Sequence, residues 1–329
     1  MTKMNILLLS AGRRNLVVRY FKEHLSKRGG NIFAADCSST APALYHADAS
    51  FVVPPYGSAD YIDAIISICK EHKIKAILSV VDPELSLLAE NADRLKAEGI
   101  FPIVSEKRAV EICFDKYLLH QFLLENGFRS IPSFISLEAA EQRIETGELH
   151  FPLFLKPRKG SASIGLAKVE NLAQLRIAFA KEPGMMIQPF VADQEWGVDV
   201  YADFHSGEVI HIFPKKKILM RSGETDKAIG VKEKKLIELC QEVVSKLGLV
   251  GPIDLDCFET KDGFVVSEIN PRFGGGYPLA HNSGANFIEA LLMNLDGKAN
   301  VPAVGSFKEG VQMFKYVDAV FIDGDGLLR

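Results

Sequence analysis

The chain has 329 residues, room for about two or three hydrophobic cores at the usual 100–200 residues per domain. Hydrophobic residues make up 47% and charged residues 24%, close to globular averages, which excludes a disordered or fibrous chain. A net charge of −4, with no basic block longer than Lys215-Lys216-Lys217, excludes the electrostatic footprint of a nucleic-acid binder.

Residues 5–10 (NILLLS) form a continuous apolar run that stops at Ala11-Gly12, the pattern of a buried parallel strand. The run is far too short to span a membrane, and Arg13 and Arg14 follow it at once, unlike a signal peptide. Leu16, Val17, Tyr20, Phe21 and Leu25 then recur at helical spacing, and a second strand, Ile32–Ala35, ends at Asp36. A helix carrying Tyr61, Ile62, Ile65, Ile66 and Cys69 precedes a strand at Ala76–Val81. Pro83 suits a first helical turn, so a helix is expected from there to about Glu98, followed by a strand at Phe101–Val104. Strand and helix alternate throughout, which predicts a doubly covered parallel sheet over residues 1–107.

The pattern then changes. Residues 108–126 read as one helix, with Asp115 able to cap a turn beginning at Lys116. Residues 131–190 read as short strands, a glycine/serine loop at 160–165 and a helix near Ala173–Lys181. Strands at Gly197–Phe204 and Val209–Phe213, a helix at Glu233–Leu247, a hairpin at 253–270 and a helix at 285–295 complete an α+β remainder. Five cysteines (Cys37, Cys69, Cys113, Cys240 and Cys257) show no CxxC pair, which excludes a disulfide scaffold or zinc ribbon and predicts a reducing, cytoplasmic setting.

The hairpin carries the strongest chemical pattern. A three-residue loop, Lys261-Asp262-Gly263, with Gly263 in the left-handed region, would place Thr260 opposite Phe264, Asp256 opposite Glu268 and Asp254 opposite Asn270. These polar groups and Arg272 would then share one face, because side chains alternate along a strand. Two carboxylates facing each other at roughly 5 Å repel, and a divalent cation removes that cost with the oxygen donors Mg²⁺ prefers. A solvated strand face would read the same way, although Asn270-Pro271-Arg272 followed by three glycines is unusual for one.

Four weaker patterns accompany it. Lys156 ends an apolar strand before Gly160, Ser161, Ala162, Ser163 and Gly165, where small residues let backbone N–H groups approach an anion. This is not a Walker A loop, since Leu166-Ala167 stands where Lys-Ser/Thr is required. Gln188 and Val191, with Glu195 beyond, fit a strand breaking into a connection that could meet a purine edge and ribose hydroxyls, or an ordinary linker. Lys116 at a helix start opposes the helix dipole unless an anion lies near. The turn Ser10–Asn15 with Asp36 lacks two glycines of a dinucleotide fingerprint, so Arg13 either meets an anionic substrate or lies on the surface.

In this order the motifs resemble the ATP-grasp superfamily, closest to single synthetase units of the carbamoyl-phosphate synthase large subunit and related carboxylate–amine ligases. The resemblance implies a Rossmann-like pre-ATP-grasp domain (1–107). A two-lobed ATP-grasp fold would follow, with a first part at 108–190 that includes a mobile lid at about 131–190, and a C-terminal lobe at 191–329. It implies ATP held by Lys116, Lys156, the loop Gly160, Ser161, Ala162 and Ser163, then Gln188, Val191 and Glu195. Mg²⁺ or Mn²⁺ would sit on Asp256, Glu268 and Asn270, and Arg272 with Lys156 would act catalytically. Asp82 and Glu84 would help shape the acceptor site, and Arg13, Arg221 and Lys227 are candidate substrate contacts. Small-molecule carboxylate and amine substrates, with a homodimer or partner subunit, complete what the resemblance implies. Asp254 and Asp256 stand where carbamoyl-phosphate synthases have glutamine, and the chain holds one synthetase unit. An ATP-binding accessory subunit and a nicotinamide-dependent oxidoreductase stay open as alternatives.

Overall fold

Short apolar runs separated by amphipathic helices build the N-terminal part of the computed structural model, which describes residues 4–160 and 165–323. Here β1 (Asn5–Leu9), α1 (Asn15–Ser26), β2 (Asn31–Asp36), β3 (Ala49–Val52), α2 (Tyr61–Glu71), β4 (Ala76–Ser79), α3 (Asp82–Glu90), α4 (Ala92–Ala97) and β5 (Phe101–Pro102) follow in turn. All five strands are parallel, in the order β3-β2-β1-β4-β5. The order reverses between β1 and β4, so the turns after these two strands flank the crevice where such sheets place ligands. Arg13 and Arg14 lie in one turn and Val80–Asp82 in the other. The expected helix over 83–98 is two helices, parted at Asn91.

The expected helix over 108–126 is likewise two, α5 (Lys107–Phe114) and α6 (Lys116–Glu125). Asp115 separates them in an extended conformation and caps α6, its side chain accepting from the amides of Tyr117 and Leu118. Next come α7 (Leu137–Glu145), β6 (Leu153–Pro157), β7 (Ala167–Val169), α8 (Leu172–Lys181) and β8 (Met185–Pro189). The strands form a small antiparallel sheet, β7-β6-β8, whose apolar face packs Leu153, Leu155 and Ile187 against Ala140 and Leu175 of the helices.

The remainder is β9 (Gln194–Ala202), β10 (Val209–Arg221), β11 (Glu224–Gly230), α9 (Lys234–Leu247), β12 (Gly251–Thr260), β13 (Gly263–Asn270), α10 (Tyr277–Asn282), α11 (Phe287–Leu295) and β14 (Gln312–Phe314). Its antiparallel sheet runs β13-β12-β9-β10-β11-β14. One face packs Val198, Val200, Leu255 and Cys257 beneath Leu236, Cys240 and Val243 of α9, which ends at Gly248 in the left-handed region. Alternation sends Asp199, Asp254 and Asp256 to the opposite face. A second apolar cluster joins α1 to α10 and α11, with Phe21 edge-on to Phe273 at 5.9 Å. The parallel sheet and the large antiparallel sheet therefore share one core.

The hairpin corrects one expectation while preserving its consequence. Thr260 faces Gly263, not Phe264, so the loop is two residues, Lys261 and Asp262. By itself that would turn Glu268 away from Asp256. A bulge at Ser267 inserts one residue between the pairs Cys257–Val266 and Asp256–Glu268, and restores the facing carboxylates. Asp254 faces Asn270 as expected.

Close backbone approach explains the glycines after Arg272. A Cβ at Gly274 would lie 2.5 Å from the Asp254 carboxyl carbon, and one at Gly276 would lie 2.3 Å from Lys215 Cε. Because Lys215 is buried and its ammonium is ion-paired, Gly276→Ala is expected to lower the unfolding free energy by about 1–3 kcal/mol. The check is a reduced urea midpoint at unchanged slope.

Candidate functional site

A cavity of about 800 Å³ opens where the three sheets meet. Ile131, Phe154, Phe190, Val191 and Phe258 supply apolar wall, and Gln188 lies in the same lining with its amide donating to Ser133 Oγ at 2.8 Å. Along β12 the residues Phe258, Asp256 and Asp254 follow one another on the cavity face, each facing β9 at Glu195, Gly197 and Asp199. The strand thus leads from the Val191–Glu195 segment toward Arg272.

Cations from separate elements meet the carboxylates. Lys156 ends β6, is buried, and makes no ion pair among the described residues. Burial and the neighbouring Lys116 depress its pKa to about 8, against the opposing pull of Glu268. Lys116 starts α6, donates to the Gly160 carbonyl at 2.7 Å and lies 3.9 Å from Glu268 Oε1. Burial and the facing Asp256 raise the Glu268 carboxyl above its ordinary range, with Lys116 partly offsetting them. Asn270, with its amide nitrogen turned toward acceptors, reaches Asp82 Oδ1 at 3.1 Å and Glu268 Oε1 at 3.2 Å.

Lys217 is the residue that motif reading missed. Its ammonium donates to Glu195 Oε1 and to Asp256 Oδ1, each at 2.6 Å. Burial works against its charge, but the two carboxylates more than offset this and hold its pKa well above the usual lysine value. Two residues back on β10, Lys215 pairs with Asp199 at 2.6 Å and Asp254 at 3.7 Å. The period-two spacing of Lys215 and Lys217, set against Glu195, Asp199, Asp254 and Asp256 on neighbouring strands, is the signal that could have found them.

At the far end Arg272 is nearly buried. Its Nη1 donates to Asp254 Oδ2 at 3.2 Å and its Nη2 to Asp82 Oδ2 at 3.2 Å. Arg14 pairs with Glu224 at 2.7 Å, and Lys315 approaches the same carboxylate at 3.2 Å. Arg13 lines the cavity and is exposed. Arg221 and Lys227 do not line it. Irregularities in the β10–β11 register at 217–220 turn Met220 inward and Arg221 outward, where it meets Asp226 at 3.3 Å. Lys227 lies opposite Phe314 of the edge strand. Glu84 is fully buried away from the lining, hydrogen-bonded to Tyr61 and Ser79. Ser161, Ala162 and Ser163 lie outside the described residues.

Known proteins resemble parts of this chain. Residues 6–103 match the model of the PylC-like N-terminal domain, and residues 181–318 match one described as ATP-grasp in the biosynthetic pathway with Ter operon. The chain belongs to the ATP-grasp superfamily. A formate-dependent phosphoribosylglycinamide formyltransferase of Prochlorococcus marinus (strain AS9601) is 27% identical over 296 residues, 82% of this chain and 70% of that one. The carbamoyl phosphate synthase arginine-specific large chain of Bacillus subtilis is 21% identical over 57% of this chain and 19% of its own length. A second Prochlorococcus marinus formyltransferase, from strain MIT 9515, is matched over 42% of its length, so the chain spans less than half of these last two relatives. The biotin carboxylase–β,γ-ATP complex of Campylobacter jejuni superposes with a TM-score of 0.75 at 21% identity, over 94% of this chain and 74% of that one, a likeness of fold. No helix among the described residues is long and apolar enough to cross a membrane.

Whether the ATP-grasp donors fit a divalent cation can be judged from their chemistry. Asp256 and Glu268 offer hard oxygens on facing positions and Asn270 an amide oxygen two residues on, while burial, with the repulsion of Asp256 added, raises the Glu268 carboxyl, a cost that a cation offsets. Among the described residues no group of three acidic, histidine or cysteine side chains could hold a metal ion. Lys217→Met is expected to cost about 2 kcal/mol of stability, because Glu195 and Asp256 lose a charged hydrogen-bond partner. Urea titrations with and without Mg²⁺ should also show the variant gaining more from the cation than the wild-type protein does.

Proposed function

We propose that the chain is an ADP-forming carboxylate–amine ligase working with ATP and Mg²⁺. The observation that carries this reading is the facing pair Asp256 and Glu268 beside Lys116 and Lys156, between an apolar pocket and a cation-bearing wall at the switch point of the parallel sheet. The apolar residues with Gln188 and the Val191 backbone would take adenine, and Glu195 the ribose. Lys116, Lys156 and the 160–165 loop would take the phosphates. Asp256, Glu268 and Asn270 would hold Mg²⁺, which supplies charge neutralisation on the polyphosphate.

In the first half-reaction a substrate carboxylate oxygen attacks the γ-phosphorus, a C–O–P linkage forms and ADP leaves. In the second, an amine nitrogen attacks the acyl carbon, the C–O bond to phosphate breaks, and the amine loses a proton to solvent. Arg272, a cation held by Asp82 and Asp254, would face the transferring phosphoryl group and the acyl phosphate. The sheet β7-β6-β8 with its loop would act as the lid that keeps water from that intermediate.

Asp254 has both oxygens engaged, by Arg272 and Lys215, whereas Lys217 takes only Oδ1 of Asp256, so Asp256 would be the acidic metal ligand on β12 through its other oxygen. An acid at this position is the choice of the amino-acid-ligase side of the resemblance. We therefore favour an organic carboxylate over bicarbonate or carbamate as the acid.

The test is phosphate release from Mg-ATP across pooled carboxylates and amines, with Glu268→Gln in parallel. One stimulating pool, silent in the variant, is the expected outcome. Tight ATP binding with no release from any pool would instead indicate an accessory subunit needing a partner chain. A second check uses Lys156, whose pKa of about 8 leaves it partly neutral above pH 8. Polyphosphate selects the protonated amine, so ATP affinity should fall as pH rises through 8, by at most about tenfold per unit for one proton. Calorimetry at pH 8.5 in buffers of different ionisation enthalpy should record proton uptake that Lys156→Met abolishes.

A further inference from the structure

We propose that Asp82, a residue of the parallel-sheet domain, is a positioning residue for phosphoryl transfer: it holds Arg272 in the orientation the transferring group requires. The proposal rests on the ligase reading and adds that the domain lining the acceptor end completes the reaction site of the other lobe.

The contacts are specific. Asp82 Oδ2 accepts from Arg272 Nη2 at 3.2 Å, and Oδ1 lies 3.1 Å from Arg272 Nε and 3.1 Å from the Asn270 amide nitrogen. Asp82 and Arg272 are 6% and 9% exposed, so water does not compete for these bonds. On its other side the guanidinium donates through Nη1 to Asp254 Oδ2 at 3.2 Å and to the Phe273 carbonyl at 3.3 Å. A guanidinium has five N–H donors. The two on Nη1 and one on Nη2 are committed to protein, the buried Nε faces Asp82 without a hydrogen bond of its own, and the second Nη2 hydrogen is left to meet a substrate oxygen. Which way it points is set by the Asp82 carboxylate, since Nη2 has no other partner among the described residues.

Charge counting separates this role from simple stabilisation. Asp199, Lys215, Asp254 and Arg272 form an alternating buried chain of two anions and two cations, which is already balanced. Asp82 is a surplus carboxylate at its end. A second anion on an arginine weakens its attraction for phosphate, so charge balance does not account for Asp82, whereas orientation of the fork does. The position is also held locally, because Asp82 opens α3 directly after the short turn Val80-Val81 and Pro83 fixes the first helical turn.

The test is the variant Asp82→Asn, which keeps shape and removes charge. Its readouts are Mg-ADP affinity, capture of orthovanadate by the Mg-ADP complex, and kcat and KM for ATP with the acid–amine pair from the release screen. Mg-ADP affinity and KM are expected to stay near wild type, while vanadate capture and kcat fall by about 10–100-fold, the scale of a misplaced reacting group. In an Arg272→Lys background the same change should add little, because the effect passes through Arg272. Equal losses in Mg-ADP affinity and vanadate capture, or full additivity with Arg272→Lys, would overturn the proposal. If Asp82→Asn unfolds, Asp82→Glu keeps the charge and moves it by one methylene, and undiminished vanadate capture there overturns the proposal too. A wild-type chain that captures vanadate but turns over no acid–amine pair would remove the ligase reading and leave this assignment to be judged on capture alone. One that binds Mg-ADP but captures no vanadate would remove this assignment and leave the ligase reading to the release screen.

Discussion

Two carboxylates held opposite each other on neighbouring strands set the terms for the rest of this site. Asp256 and Glu268 repel across β12 and β13, and a sheet tolerates such a pair only when cations surround it. Lys217 reaches Asp256 from β10, Lys116 approaches Glu268 from the start of α6, and Lys156 comes from the small sheet. None of these elements is adjacent to the hairpin in sequence. The requirement to neutralise one pair therefore brings the two antiparallel sheets and the α5–α6 connection to a common point, and the cavity is the space they enclose.

The same logic extends toward the parallel sheet. Asp254 lies two residues from Asp256 on the same face, and its neutralisation by Lys215 and Arg272 continues the alternation to Asp82. Beneath this polar layer, Phe21 packs on Phe273 and the cluster around Tyr277 and Phe287, so the ionic contacts sit on a shared apolar core. That order is physically sensible. Buried ion pairs contribute little net stability and are costly when broken, whereas the apolar cluster supplies the association that keeps their geometry fixed.

Much of this was legible in the sequence where local chemistry decides the outcome. The apolar runs of β1, β2 and β4 and the amphipathic helices α1, α2 and α9 follow directly from period and composition. Asp115 was legible as a cap, but not as a break between two helices, because the break coincides with contacts 43 residues away: Arg158 claims the Asp115 carboxylate and the Arg158 carbonyl accepts from the Lys116 amide. The hairpin is more instructive. A loop length is a local preference, and it was misjudged by one residue; the facing of Asp256 and Glu268 survives because the Ser267 bulge moves the register by one residue in the compensating direction. Lys217 and Asp82 were harder, since their importance lies in partners 22 to 190 residues away and in no motif of their own.

The wall proposed for the acceptor illustrates why substrate identity resists sequence reading. It is assembled from the turn after β1, the end of β4, the β10–β11 turn and the glycines after Arg272, four segments with no mutual spacing to recognise. Its charges are also largely spent within the protein. Arg14 answers Glu224, and Arg272 answers Asp82 and Asp254, which leaves Arg13 as the lining arginine without an ion pair among the described residues. Selectivity in such a wall comes from the few donors that remain uncommitted and from the shape the committed pairs enforce. On the proposed reading a substrate would be chosen by where Arg13 and the free Nη2 hydrogen of Arg272 stand relative to each other, a distance set by the shared core and not by any local motif.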